Sequence, residues 1–310
     1  MTISHAVNNI SKYRKRYGMI KAVRATLHYG YVASRKLWLK KSRGNIIEVN
    51  GYKLAIIPDD RFGTSSELLI FKTHEPLSTE LISRTLKSGM ICLDIGANIG
   101  YYVLLEKKLV GKEGKIIAIE PSPINFQYLK NNVGFQDSSN VELFNFAAGD
   151  QNGNINFLIY ENAANSCMVI PDGEESKWPG KVIKVPVRRI DSLLDEIGIN
   201  KIDFVRMDVE GYEFNIFEGM QNTIRNSRPI IQIEVHKSIM GMDKTRNFLQ
   251  GLKDNGYEVK AYIPREIDTP MIGTAKDIKN YSMNELMQML TAGSLPSFFM
   301  LTLQNLTEDN

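Results

Sequence analysis

The sequence predicts an α/β protein built on a doubly wound, mostly parallel sheet, with an N-terminal helical extension and a β-hairpin ahead of it. Two observations lead there. Strand and helix patterns alternate over residues 90–303, and several strands are unbroken apolar runs such as Ile116-Ile117-Ala118-Ile119. Runs of that kind suit strands buried on both faces. Alternation of strand and helix implies right-handed βαβ crossovers.

Residues 6–41 read as helical, because Ile10, Tyr13, Tyr17, Ile20, Val23 and Leu27 recur at roughly helical spacing between basic residues. Residues 46–57 read as a hairpin turning at Asn50-Gly51. A helix is expected over 76–88, opening near Pro76. Strands follow at 90–95, 115–120, 141–146, 202–208, 229–235, 257–263 and 298–303. Helices fall at 99–110, 123–133, 213–225, 243–255 and 283–292. The segment 154–187 reads as extra short strands inserted between the third and fourth core strands. We divide the chain at residue 60, with the extension and hairpin in 1–60 and the main domain in 61–310.

The chain has 310 residues, 43% of them hydrophobic, enough for a sizeable core. The net charge of +3 hides an asymmetry. Residues 1–47 hold eleven Lys and Arg and no Asp or Glu, leaving 27 basic against 35 acidic residues in the rest. Two cysteines, Cys92 and Cys167, are too few for a disulfide framework. No apolar run is long enough to span a bilayer, and the N-terminus lacks a signal-peptide core. The sequons at Asn9 and Asn305 are read as accidental, and the expected address is the cytoplasm.

The first constellation is MICLDIGANIGYY, residues 90–102. An apolar strand ends in Asp94, and Gly96, Ala97, Asn98 and Gly100 lead into a helix. Ligands of open α/β sheets sit beyond such strand ends, and the glycines let the backbone approach closely. A dinucleotide fingerprint would need glycine at 98 and 101, where Asn98 and Tyr101 stand, so a pyrophosphate cradle and an oxidoreductase are disfavoured. The spacing suits a ligand with an amino acid moiety. Glu120 ends the next strand and can accept both hydroxyls of a ribose, with Pro121 and Ser122 shaping the same loop. Ala147 and Ala148 at the third strand end leave room for a flat base, which Asn145 or Phe146 could contact.

The second constellation is RMDVEGYE, 206–213, followed by IIQIEVH, 230–236. Asp208, Glu210, Glu234 and His236 are expected to converge, because neighbouring strands end about 5 Å apart. Asp208, Glu210 and His236 are the expected catalytic set. A hydroxyl acceptor needs a base, or a metal that acidifies it. Asp, Glu and His also match an Mg²⁺ or Mn²⁺ site. The plainer readings are a satisfied buried histidine, and for Glu210 and Glu213 a complement to a helix dipole.

With these motifs together, the chain resembles the FkbM family of S-adenosylmethionine-dependent methyltransferases. LDIGANIGYY, IAIEPSP, the AAGD turn, VPVRRIDSLL, MDVEGYE and IEVH carry the resemblance, over about residues 67–236. It implies a class I methyltransferase (Rossmann-like) fold of seven strands ending in an antiparallel hairpin. It also implies S-adenosylmethionine as cofactor, its methionine end lined by Asp94, Gly96, Asn98 and Gly100 and its ribose held by Glu120. The expected activity is O-methylation of a small-molecule or glycan hydroxyl, with Asp208 beside both cofactor and acceptor. The alternative is a non-catalytic cofactor-binding module for assembly or regulation. The basic arm, residues 1–45, suggests peripheral contact with an anionic membrane, or packing on the body, including as a dimer arm; nucleic acid is disfavoured because no nucleic-acid motif accompanies it.

Overall fold

Five parallel strands form the centre of the molecule. β3 (Ile91–Ile95), β4 (Lys115–Ile119), β5 (Val141–Phe144), β10 (Phe204–Met207) and β11 (Ile230–Val235) follow a separate hairpin, β1 (Ile46–Val49) and β2 (Tyr52–Ala55). An antiparallel pair, β12 (Tyr257–Pro264) and β13 (Phe299–Asn305), completes a seven-stranded sheet of order β12-β13-β11-β10-β3-β4-β5. β13 is inserted antiparallel between β11 and β12. This is the class I methyltransferase topology the motifs imply. The computed structural model describes residues 11, 14–39, 45–57, 64–160, 167–170, 173 and 180–306, the side chains at 33, 35–39 and 167 apart.

The strand predictions agree with the structure to within two residues. The helix expected over 213–225 is two, Glu213–Gly219 and Gln221–Ser227, meeting at Met220. The N-terminal helix covers 14–17 and Met19–Leu39, broken at Gly18 with φ 84°. Its expected ends, with the sequon at Asn9, Ile10, Lys12, Tyr13, Lys40, Lys41 and Arg43, lie outside the described residues, and so do 161–166, 171–172 and 174–179 of the insertion. The insertion forms its own sheet, β6-β9-β7-β8, from β6 (Ala147–Ala148), β7 (Gly153–Ile159), β8 (Cys167–Val169) and β9 (Lys181–Arg188). The stretch between β12 and β13 holds two short 3-10 turns and the helix Met283–Thr291. Among the described residues, no helix is long and apolar enough to cross a membrane.

Two cores cover the two sheet faces. Leu93, Ile95, Val205, Met207, Ile231 and Ile233 point into one. Cys92, Phe204, Ile116 and Ala118 point into the other, which also takes Ile47, Val49, Leu54 and Ile56 of the hairpin segment. The second face carries a polar row, because Thr302, Gln232, Arg206 and Asp94 stand opposite one another across β13, β11, β10 and β3. All four are buried, and Asp94 and Arg206 are ion-paired at 3.0 Å. Asn305, of the second sequon, is also buried and donates to the Asn255 carbonyl.

The chain runs outward from β3 to β5 and then returns to place β10 on the other side of β3. The strand order reverses between β3 and β10, where doubly wound sheets bind ligands.

Candidate active site

The loops after β3 and β10 meet at this reversal. Gly96 has φ +87°, and a Cβ there would lie 1.9 Å from the Asp208 carbonyl oxygen, so only glycine fits. Beside the contact lies an open cavity, about 610 Å³ when the space continuous with solvent is counted. Gly96, Asn98, Glu120, Pro121, Ala147 and Asp208 of the expected cofactor set line it, together with Glu210 of the expected catalytic set.

Glu120 is buried on its wall. Its carboxylate accepts the Asn98 and Ser122 amides, each at 2.8 Å. Burial pushes Glu120 up to about 7 against the opposing pull of those bonds. The Asn125 side chain also bonds to the carboxylate, and the lone pair that remains can take a ligand hydroxyl. Asn125 also lines the cavity, and its buried Oδ1 has no partner among the described residues. Ile119, Ala148, Phe157, Val169 and Ile216 add apolar walls. A cavity with a ribose acceptor, apolar walls and a glycine floor fits an adenosyl ligand.

Other expected residues do different work. Asp94 is not among the residues that line the cavity and is fully buried and bound to Arg206. Burial raises its pKa, and Arg206 opposes this. Gly100 lets helix Tyr101–Val110 pack close to Leu129, where a Cβ would meet Cδ1 at 2.8 Å. Ser122 caps helix Pro123–Gly134, its hydroxyl accepting from the Asn125 amide. Asn145 donates to the Glu120 and Pro121 carbonyls, which ties the loop instead of reaching a base. Phe146 is buried in the core. Ala97 lines a second, more polar cavity of about 260 Å³ with Thr64, His74, Tyr101, Tyr102 and Arg206. Asn98 and Asp208 belong to both cavities.

The second constellation converges as expected. His236 Nε2 lies 3.4 Å from Glu210, 3.8 Å from Glu234 and 3.9 Å from Asp208. Its Nδ1 meets Glu213. Burial lowers the pKa of His236, but Glu213, Glu234 and Glu210 outweigh it and hold the imidazole protonated well above its ordinary range. Burial raises Glu234 to about 8 and also raises Glu210. His236 is 3% exposed and lies behind the cavity wall that Asp208 and Glu210 form. For the Mg²⁺ or Mn²⁺ expectation, Asp208, Glu234 and His236 offer ligand atoms within 4.8 Å of one another. Both carboxylates are already engaged by guanidinium groups, Asp208 by Arg206 and Glu234 by Arg265.

Sequence reasoning missed Arg206, Glu75, His74 and Arg265. Arg206 bridges Asp94 and Asp208 at 3.0 Å each and stacks on Tyr102, 4.0 Å from the ring centroid. Its signal was available, since an arginine inside an apolar strand requires buried carboxylates beside it. Glu75, His74 and Arg265 come from distant segments and gave no local pattern. Glu75 accepts from Tyr102 and pairs with His74 and Arg265.

The family described as Methyltransferase FkbM domain matches residues 94–259, just over half of the chain. Methyltransferase sdnD of Sordaria araneosa is 26% identical over 161 residues, covering 44% of this chain and 62% of that protein. The 2-O-methyltransferase NoeI of Sinorhizobium fredii is 27% identical over 169 residues, covering 48% and 65%. The hexuronic acid methyltransferase AglP of Haloferax volcanii is 24% identical over 224 residues, covering 69% and 86%. The chain thus spans less than two thirds of the first two relatives.

Proposed function

The chain belongs to the FkbM methyltransferase family, and from that premise we propose that it moves a methyl group from S-adenosylmethionine to a sugar hydroxyl. The observation that carries this reading is the position of Asp208, which stands on the wall of both cavities and beside the His236 cluster. A residue so placed reaches a cofactor on one side and an acceptor on the other. Two relatives bear names that indicate methylation of a hydroxyl position or a uronic acid, which supports a sugar acceptor.

When bound, the cofactor supplies a methyl group already activated on a sulfonium. The protein then has to hold an acceptor oxygen in line with it and take its proton. Glu120, Gly96 and the apolar walls position the adenosyl part. Asp208 and Glu210 orient the hydroxyl, and one of them accepts its proton as the methyl ether forms. The His236 imidazolium, fixed from behind by Glu213, opposes the upward push that burial gives Glu210. Glu210 is the more exposed of the two, its side chain 42% accessible, and passes the proton to water.

The test is methyl transfer to a panel of uronic acids, sugar nucleotides and glycolipids, read as S-adenosylhomocysteine formed. Asp208→Asn should cut turnover about 10²-fold with affinity for S-adenosylhomocysteine nearly intact. Cofactor affinity without transfer to any acceptor would favour a binding module and overturn the proposal.

A further inference from the structure

The helix Met19–Leu39 is apolar on two faces, and the protein body uses one of them. Ala22 and Ala25 pack with Leu77, Ile263, Ile267 and Met300. His28 stacks on Phe71 with ring centroids 5.1 Å apart. Polar ties hold the same side: Lys21 pairs with Asp277, and Tyr17 donates to Glu266 at 2.8 Å. The helix is therefore fixed to the body. Its outer face nonetheless carries Ile20, Val23 and Leu27 at helical spacing, 72%, 51% and 57% exposed, with Met19 beside them and Tyr31, 41% exposed, at the edge against Phe71. Isolated exposed apolar residues are ordinary; a stripe running along an anchored helix marks a contact surface.

Charge decides the occupant. Arg14 and Lys15 are exposed just ahead of the stripe. Residues 1–47 contain eleven basic and no acidic side chains, while the rest of the chain has a surplus of acidic ones. Two copies meeting symmetrically through this face would set Arg14 and Lys15 of one against the same cations of the other, because a two-fold contact apposes the same surface of both chains. An anionic lipid surface complements both features at once, taking the apolar residues below its headgroups and the cations at them.

We infer that the outer face of this helix is a docking surface for an anionic lipid bilayer. The acidic body is repelled by such a surface, so the molecule settles with the basic arm toward the lipid. Helix Thr64–Phe71 links this surface to the site, since Phe71 lies under His28 and Thr64 lines the polar cavity. The inference does not depend on the methyl-transfer reading.

Co-sedimentation of the full chain with phosphatidylcholine vesicles, with and without phosphatidylglycerol, tests it. Vesicles containing phosphatidylglycerol should bind the protein at least about tenfold more strongly than neutral ones, and added salt should weaken the binding. The double variant Ile20→Asn/Leu27→Asn should lose at least about tenfold in partitioning, with its thermal midpoint and S-adenosylhomocysteine affinity unchanged. Arg14→Gln/Lys15→Gln should weaken binding to the anionic vesicles alone. No binding at low salt, or equal binding by the apolar double variant, would overturn the inference. So would a dimer that sediments without lipid and dissociates in that variant, because the stripe would then join two copies.

Discussion

Glu213 Oε1 lies 2.5 Å from His236 Nδ1, and both side chains are buried. A carboxylate in that position fixes the ring, and with it the direction of Nε2 toward Asp208, Glu210 and Glu234. It also supplies the largest of the carboxylate contributions that keep the imidazole protonated against burial. Glu213→Gln keeps the shape and removes the charge. Turnover should fall about 10²-fold, cofactor KM should change little, and the alkaline limb of the pH–rate profile should move to lower pH. A residue that merely braced the fold would leave that limb in place.

The contact between Gly96 and Asp208 predicts a sharp steric effect. Gly96→Ala meets the Asp208 carbonyl as well as an unfavourable φ. Gly89 has nearly the same φ, +85°, with nothing within 4 Å of an added Cβ, so Gly89→Ala isolates the backbone cost of about 1–3 kcal/mol. Gly96→Ala should cost more in thermal melts and should reduce S-adenosylhomocysteine affinity at least about 10²-fold, given the sensitivity of sites to small displacements. Calorimetry on both variants reads the difference.

Glu120 makes cofactor binding pH-dependent. Burial raises it to about 7, and its ionised form is the better acceptor for ligand hydroxyls. Affinity for S-adenosylhomocysteine should therefore rise between about pH 6 and pH 8, by no more than about tenfold per unit. Folding runs the other way. A carboxyl with a raised folded pKa contributes stability that is full below its unfolded value and is lost as pH rises through about 7. Glu120→Gln should remove both dependences in titrations of affinity and of the ligand-free melting point.

Glu75 is the anchor of a buried network. It accepts from Tyr102 at 2.8 Å and pairs with Arg265 at 2.9 Å and His74 at 3.2 Å. Glu75→Gln weakens the pairing of buried His74 and part-buried Arg265, which keep Glu67 and Glu234, and should cost about 3 kcal/mol in urea unfolding. Arg84→Ala, which breaks only an exposed pair with Glu80, should cost less than about 1 kcal/mol.

Asp208 and Glu234 each already face a guanidinium. We therefore expect EDTA to leave methyl transfer unchanged. Loss of transfer, restored by Mg²⁺ or Mn²⁺, would instead assign Asp208, Glu234 and His236 to a metal.

The sheet was legible because its strands obey local rules. Ile116–Ile119 is apolar throughout, and Asp94, Glu120 and Asp208 each close such a run. Strand order brings their ends together, so Glu120 and Asp208 on the cavity wall could be read from spacing. The helices Thr64–Phe71 and Ile190–Glu196 were not foreseen, being short and without a periodic stripe of their own. The network of Glu75, His74 and Arg265 was also hidden, because its members meet only after β12 has been carried back to the sheet. Asp94 shows a further limit: its place at a strand end was readable, but not that Arg206 would claim its carboxylate.

The row Thr302, Gln232, Arg206 and Asp94 has a consequence for how the strands find one another. If β10 slid by one residue, Arg206 would turn toward the opposite face, among Leu93, Ile95 and Ile231, and Asp94 would lose its cation. Aliphatic neighbours tolerate such a slip far better than an arginine does. The charged pair thus acts as an alignment key, penalising near-miss pairings that greasy strands alone would accept.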